Sequence, residues 1–167
     1  MKKRTPDLAL LPGDTRASIA VDGWAVDYVR VDAHGMALAD PFCYRDERTI
    51  KAERALHRKI GAERLRELTG VQLIRINTLY QLYADHLQGL PEGRQWLNLP
   101  EYILSRWGGA RVAEYTNATH TGMVKLHERQ WCREIFRAAH LDLSRPLRYS
   151  HRCAMVTRRQ PPCFYQL

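Results

Sequence analysis

Spacing sorts the residues of this 167-residue chain that could do chemistry. Cys43, Cys132, Cys153 and Cys163 lie far apart with no CxxC pair, which predicts free thiols rather than a redox couple or a zinc site. His34, His57, His86, His127 and His140 have no partners at metal-ligand spacing, so no metal site built from side chains alone is expected. In Asp22-Gly23-Trp24-Ala25-Val26-Asp27, two carboxylates bracket an indole directly after the short apolar run Ile19-Ala20-Val21. A turn at the carboxyl end of a strand is where open α/β sheets hold their ligands. In purely structural terms Trp24 is a core or cleft-wall aromatic, and Asp22 and Asp27 cap the turn. Asn117 and Thr119 fix a turn and start a helix. Asn77, Thr78 and Gln81 read as a helix cap and an exposed polar face, and Asp46 with Arg48 as a local ion pair ordering a loop.

The elements that must position these residues alternate between strand and helix. Ile19–Val21 reads as a buried strand, and Val26, Tyr28, Val29 and Val31 as a second. Asp32-Ala33-His34-Gly35 is a tight-turn sequence leading to a return strand at Met36-Ala37-Leu38. Residues 50–59 and 62–68 are rich in helix formers, with Gly70 placed to end the second piece. A third helix opens at Asn77 or Thr78, with Leu79, Leu82, Tyr83 and Leu87 on one face, and ends before Pro91 and Gly93. Pro100 suits the first turn of a fourth, which stops at Gly108-Gly109. Residues 112–115 form a short strand, and residues 128–139 a fifth helix with Trp131, Ile135 and Phe136 on one face. The class is α/β.

Composition and charge limit the partners. With 45% hydrophobic and 26% charged residues the chain is an ordinary soluble domain, neither disordered nor fibrous, and it contains no 18-residue apolar run. No signal peptide is read at the amino terminus, so a cytoplasmic location is expected. The net charge of +8 sits at the two ends: Arg145, Arg148, Arg152, Arg158 and Arg159 stand with no acid beyond Ser144, while residues 18–143 are close to neutral. A nucleic-acid module would spread its basic residues over a folded face, so nucleic acid is a poor partner. Residues 1–17 carry no period and are left unassigned, residues 18–143 form the domain, and residues 144–167 form a basic tail, expected to be unpacked. Nothing in the sequence fixes an oligomeric state.

The core resembles the amino-terminal domain of the FGGY carbohydrate kinases, above all their L-rhamnulose kinase branch. The resemblance rests on residues 18–27, on Tyr44-Arg45-Asp46-Glu47-Arg48-Thr49, and on Thr69-Gly70-Val71-Gln72 followed by Asn77-Thr78-Leu79-Tyr80-Gln81-Leu82. Leu99-Pro100-Glu101-Tyr102 and Glu114-Tyr115-Thr116-Asn117-Ala118-Thr119 follow in the family's order. The resemblance implies an actin-like, ribonuclease-H-like fold and ATP-dependent phosphoryl transfer, with Mg, to an alcohol group of a ketose such as L-rhamnulose. It also implies sugar contacts at Trp24 and Ala25, and at Tyr115, whose hydroxyl can donate to a polyol while its ring packs on the carbon skeleton. Ala25 stands where the branch carries a substrate-contacting glycine, so its methyl group would intrude on the sugar. Gly23 replaces a threonine, Arg75 a common proline, and His120 and Gly122 also depart from the branch.

Parts of the family pattern are not found. Gly13-Asp14-Thr15 does not match the Asp-x-Gly turn that holds Mg and phosphate, and the first strands, the proton-accepting aspartate of a His-Asp segment and the adenosine-binding glycines have no counterpart. No catalytic residue and no metal ligand are therefore assigned. The expectation is a truncated, inactive remnant with a shifted reading frame after Asp142, and with an unpaired strand edge at Ile19–Val21 that lowers solubility. The alternative is a small basic module whose arginine tail contacts anionic partners.

Overall fold

The computed structural model describes residues 18–146, 148–150, 154–157 and 163–164. In chain order the elements are β1 (Ser18–Ile19), β2 (Tyr28–Val31), α1 (Arg48–Ile60), α2 (Ala62–Thr69), α3 (Thr78–Leu87), β3 (Gln95–Asn98), α4 (Leu99–Arg106), β4 (Ala113–Glu114), α5 (Tyr115–Thr119), β5 (Val124–Lys125), β6 (Gln130–Trp131), α6 (Arg133–Ala138), β7 (Tyr149–Ser150), β8 (Ala154–Thr157) and β9 (Cys163–Phe164). The mixed α/β class is as expected.

The centre is an antiparallel ribbon of β2 and β3, in register from Tyr28 opposite Asn98 to Val31 opposite Gln95. Side chains alternate across a strand, so Tyr28 joins one core while Val29 and Val31 join another. The larger core takes Ala52 and Leu56 from α1, Leu65 and Leu68 from α2, Leu79, Tyr80 and Tyr83 from α3, and Ile135 and Phe136 from α6. The smaller core joins Val29, Val31 and Leu97 to Ala113 of β4, Ala118 of α5 and Val124 of β5. The ribbon is thus covered on both faces. That explains why β3 escaped the sequence reading: Trp96, Leu97 and Asn98 are all buried, and no polar-out alternation marks the strand.

The helices begin and end close to where composition puts them. Along α1 the buried positions are Thr49, Ala52 and Leu56, one stripe of the helix, and His57, Arg58 and Lys59 in the last turn complement the dipole. After α2, Gly70 adopts φ 67° and its N–H donates to the Arg66 carbonyl at 2.7 Å. That reversal sends residues 71–76 back toward the start of α3.

Several expectations are corrected. The segment 128–139 is not one helix: Gln130–Trp131 pairs with Val124–Lys125, and only residues from Arg133 are helical. Trp131 and Phe136 do meet, 5.9 Å apart edge to face, but across a strand–helix junction that mimics helical spacing. The turn at Asp32–Gly35 forms, with Asp32 Oδ1 accepting from His34 and Met36 N–H groups, yet the return strand shrinks to one bridge between Val31 and Ala37. The strand expected at 19–21 covers only Ser18–Ile19, with Ala20 exposed, and its edge is paired with β8 rather than bare.

An unpacked stretch from Ser144 is not what its described residues show. β7 runs parallel to β4, β8 lies between β1 and β9, and Pro146 bridges Trp96. Arg145 is ion-paired with Asp142 at 3.0 Å and donates to the Gly93 carbonyl, so this arginine latches the chain to itself. The first 17 residues, read as unassigned, lie outside the described ones. No helix among the described residues is long and apolar enough to cross a membrane.

Candidate functional site

The corner between β1 and β2 is held from behind. Val26 has φ 78°, a conformation that β-branched residues adopt only when their surroundings impose it. Its carbonyl accepts from Thr78 Oγ1 at 2.7 Å and Gln81 Nε2 at 3.1 Å, both from α3. Thr78 and Gln81 are therefore buried, correcting the expected exposed face. Their polarity is spent on backbone carbonyls, since Gln81 Nε2 also donates to Ile76 O. Asn77 occupies the N-cap position of α3 without capping through its side chain. Its Oδ1 accepts from Ile74 N–H at 2.7 Å, and its Nδ2 donates to His120 O at 2.8 Å.

These bonds gather three segments around a cleft of about 440 Å³. It is lined by Trp24, Ala25 and Val26, by Val71, Gln72, Ile74, Ile76 and Asn77 with Tyr44, and by Thr119 and His120 at the end of α5. Among the described residues no Lys, Arg, Asp or Glu lines it. Trp24 is 58% exposed, and its indole N–H donates to Asp27 Oδ2 at 2.7 Å. Tyr44 accepts from Arg45 Nε through its hydroxyl oxygen, which leaves its own proton to donate. An indole face, a phenol, an amide and aliphatic side chains without formal charge suit a neutral polyhydroxy ligand with an apolar side.

Of the three residues expected to touch sugar, the structure brings Trp24 and Ala25 into this cleft and puts Tyr115 elsewhere. Tyr115 opens α5, packs against the smaller core and lies under the Arg129 guanidinium, 5.4 Å from its ring centre. The cleft takes residues from the other end of that helix. Glu114 fixes where α5 starts, its carboxylate accepting from the N–H groups of Thr116 and Asn117. Asn117 Nδ2 in turn donates to both oxygens of Glu101, at 3.0 and 2.9 Å. Burial pushes the Glu101 carboxyl above the usual range, against the opposing pull of these donors. The two stretches around Glu101 and Glu114 thus form a structural clip.

A second buried group braces the base of α3. Asp85 accepts from the Tyr28 hydroxyl and from Arg48, with Arg30 Nε 3.5 Å away. Arg48 also stacks over Phe42 at 3.9 Å. Burial and the Asp85 carboxylate raise the Tyr28 hydroxyl far above the ordinary phenol, so it stays a donor. The expected Asp46–Arg48 ion pair is replaced: Asp46 Oδ1 accepts from the Arg48 backbone N–H at 2.8 Å, while the guanidinium goes to Asp85.

Among the described residues no group of three or more His, Cys, Asp or Glu could hold a metal ion, and Cys43 and Cys132 are free thiols. Tyr44, Gln72 and His120 are the polar cleft residues to which the sequence reading gives no role. The signal that could have found Gln72 is the Gly70 reversal, which turns residues 71–76 toward the corner that carries Trp24.

Residues 9–154 match the model of the FGGY family of carbohydrate kinases, N-terminal domain. The chain is 39% identical over 116 residues to a rhamnulokinase of Ligilactobacillus salivarius, covering 70% of this chain and 24% of that protein. Rhamnulokinases of Pectobacterium atrosepticum and Halalkalibacterium halodurans are 38% and 36% identical, over 71% and 72% of this chain and 24% and 27% of theirs. The chain therefore spans about a quarter of the length of the curated relatives it matches. Among solved structures, a gluconate kinase from Lactobacillus acidophilus superposes with a TM-score of 0.64 at 18% identity, covering 78% of this chain and 29% of that one. A xylulose kinase from Brucella ovis gives 0.66 at 15%, over 80% and 28%. At those identities the likeness concerns the fold, whereas the matched family model extends over most of the chain: the protein belongs to the FGGY family of carbohydrate kinases, through that family's N-terminal domain.

Proposed function

We propose that this chain is the sugar-holding part of a ketose kinase and that a neutral ketose of the L-rhamnulose type lies in the cleft against Trp24 and Ala25. The observation that carries the reading is the lining: an exposed, tethered indole and polar groups together with Val71, Ile74 and Ile76, with no Lys, Arg, Asp or Glu among the described residues. A carboxylate- or phosphate-bearing sugar would find no Lys or Arg there among the described residues, while a deoxy sugar could set its methyl group against the aliphatic side chains. The rhamnulokinase names of the relatives at 38–39% identity point the same way. Tyr115 is left out of the proposed contact set, because it does not line the cleft and its partly buried ring packs against the smaller core.

ATP with Mg is the phosphoryl donor that the family implies. The cleft does not fit it: among the described residues it has neither Lys nor Arg for a triphosphate nor carboxylates for the metal. No step through ATP is derived for the described residues. The chain on its own is proposed to bind sugar without turnover.

Calorimetric titration tests this. L-Rhamnulose is expected to bind, with gluconate and L-rhamnulose 1-phosphate failing to compete and no ATP consumed. Ala25→Gly, which removes the methyl group from the wall, is expected to tighten L-rhamnulose binding by about tenfold, the scale of relieving one overpacked methyl group. Preference for a charged sugar, or ATP-dependent phosphorylation by the 167-residue chain, would overturn the reading.

A further inference from the structure

Directly behind the exposed wall of the cleft sits a buried carboxylate for which the proposed function has no use. Asp27 is 4% exposed, its Oδ2 receives the Trp24 indole N–H, and its Oδ1 is buried without a hydrogen-bond partner among the described residues. Burying a carboxylate that meets a single side-chain donor is unfavourable, so stability alone does not account for it. The backbone around it is fixed from two directions: the Val26 carbonyl by Thr78 and Gln81, and the Asp27 carbonyl by the Leu99 N–H at 3.0 Å. Asp27 cannot follow the indole; the indole must follow Asp27.

We propose that Asp27 is a positioning residue that acts through Trp24, locking the indole so that its face stays presented to the cleft. An indole this exposed would otherwise sample several rotamers, and a ligand packing on it would have to freeze them. The tether removes that freedom in advance. The consequence for affinity rests on the cleft being the sugar site; the locking itself does not.

The test uses the whole chain labelled with 5-fluorotryptophan, its ¹⁹F spectrum, and titration with L-rhamnulose. Trp24→Phe assigns the Trp24 line among those of Trp96, Trp107 and Trp131. Asp27→Ala is expected to move that line to the position of a freely rotating, solvent-exposed indole and to weaken L-rhamnulose about three- to tenfold, the scale of freezing one large side chain. Asp27→Asn keeps an acceptor oxygen and is expected to restore most of both. In the Trp24→Phe background, Asp27→Ala is expected to cost no further affinity.

An unmoved Trp24 line in Asp27→Ala overturns the proposal. So does an equal affinity loss in the Trp24→Phe background, which would mean that Asp27 acts through the backbone. If the unsubstituted chain takes up no L-rhamnulose, the sugar reading falls, and the ¹⁹F line still decides whether Asp27 locks Trp24. Should Asp27→Ala fail to fold, hydrogen exchange of the Trp24 indole N–H in the unsubstituted chain decides. Protection is expected, and exchange at the rate of an exposed indole would refute the tether.

Discussion

Replacing Asp85 with alanine is the sharpest test of how α3 is seated. The substitution leaves two cations, Arg30 and Arg48, in the interior and takes the acceptor from the Tyr28 hydroxyl. Breaking a buried pair by removing one partner costs about 3–5 kcal/mol, because the remaining charge is uncompensated. Orphaning a buried hydroxyl adds about 1–3 kcal/mol. Part of this is relieved, since Arg48 keeps the Gln81 carbonyl at 3.3 Å and the Phe42 ring, and Arg30 keeps the Pro91 carbonyl at 2.9 Å. A net loss of about 3–5 kcal/mol is expected, a large share of the roughly 5–15 kcal/mol that holds a domain folded.

Urea unfolding followed by far-ultraviolet circular dichroism measures it, as a lower midpoint at unchanged slope. Two companions make the attribution specific. Tyr28→Phe removes only a donor and is expected to cost about 1–2 kcal/mol, less than the alanine variant. The double replacement Arg48→Met with Asp85→Leu removes charge from both sides and is expected to cost less than Asp85→Ala alone. An Asp85→Ala loss below about 1 kcal/mol, or a double variant that sums its single effects, would refute the account of a charge balanced in the interior.

The remaining expectations concern the turn that shapes the cleft and the clip beside it. Gly70→Ala forces a Cβ at φ 67° to within 2.7 Å of Leu126 Cδ1. The exposed Leu126 side chain can turn aside, so the left-handed backbone sets the cost at about 1–2 kcal/mol; the melting temperature should fall by about 2–8 °C, and an unchanged melt would refute the role of this reversal. Glu101 has a carboxyl raised by burial, so the folded state holds its proton more tightly than the unfolded state does. The stability linked to it is fully present below the ordinary glutamate value and is lost as pH rises through the raised folded value. Unfolding free energy should fall across that window by at most about 1.4 kcal/mol per pH unit, and Glu101→Gln should flatten the slope; an unaltered slope would assign the pH dependence to another group.

Much of the fold was legible from sequence because it follows local rules. The α1 stripe, the Gly70 reversal and the Pro100 start of α4 are set by periodicity and backbone chemistry within a few residues. What escaped depends on partners distant in sequence. β3 hides its period because both its faces are covered, and residues 128–139 look helical because Trp131 and Phe136 pack together across a bend. At the cleft, Trp24 and Ala25 could be named from a motif, whereas Tyr44, Gln72 and His120 needed the fold to bring three loops together. Tyr115 carries its motif but does not line this cleft, its partly buried ring packing against the smaller core.

The polar residues at the start of α3 show why sequence polarity misleads at such a site. Asn77, Thr78 and Gln81 look like a solvated helix face, yet all three direct their side chains to backbone around the cleft, Thr78 and Gln81 sharing the Val26 carbonyl. Asn77 ties residue 74 to residue 120, and Thr78 and Gln81 tie α3 to Val26. One turn of helix therefore sets the spacing between the Trp24 wall, the 71–77 wall and the end of α5. Asp85, two turns further along the same helix, anchors it to α1 and β2. A cleft walled by loops needs such a common anchor, since loops alone do not hold a ligand's contacts to within the fraction of an ångström that hydrogen bonding requires. Here the precision of the site resides in α3, a helix that contributes only Asn77, at its N-cap position, to the cleft surface.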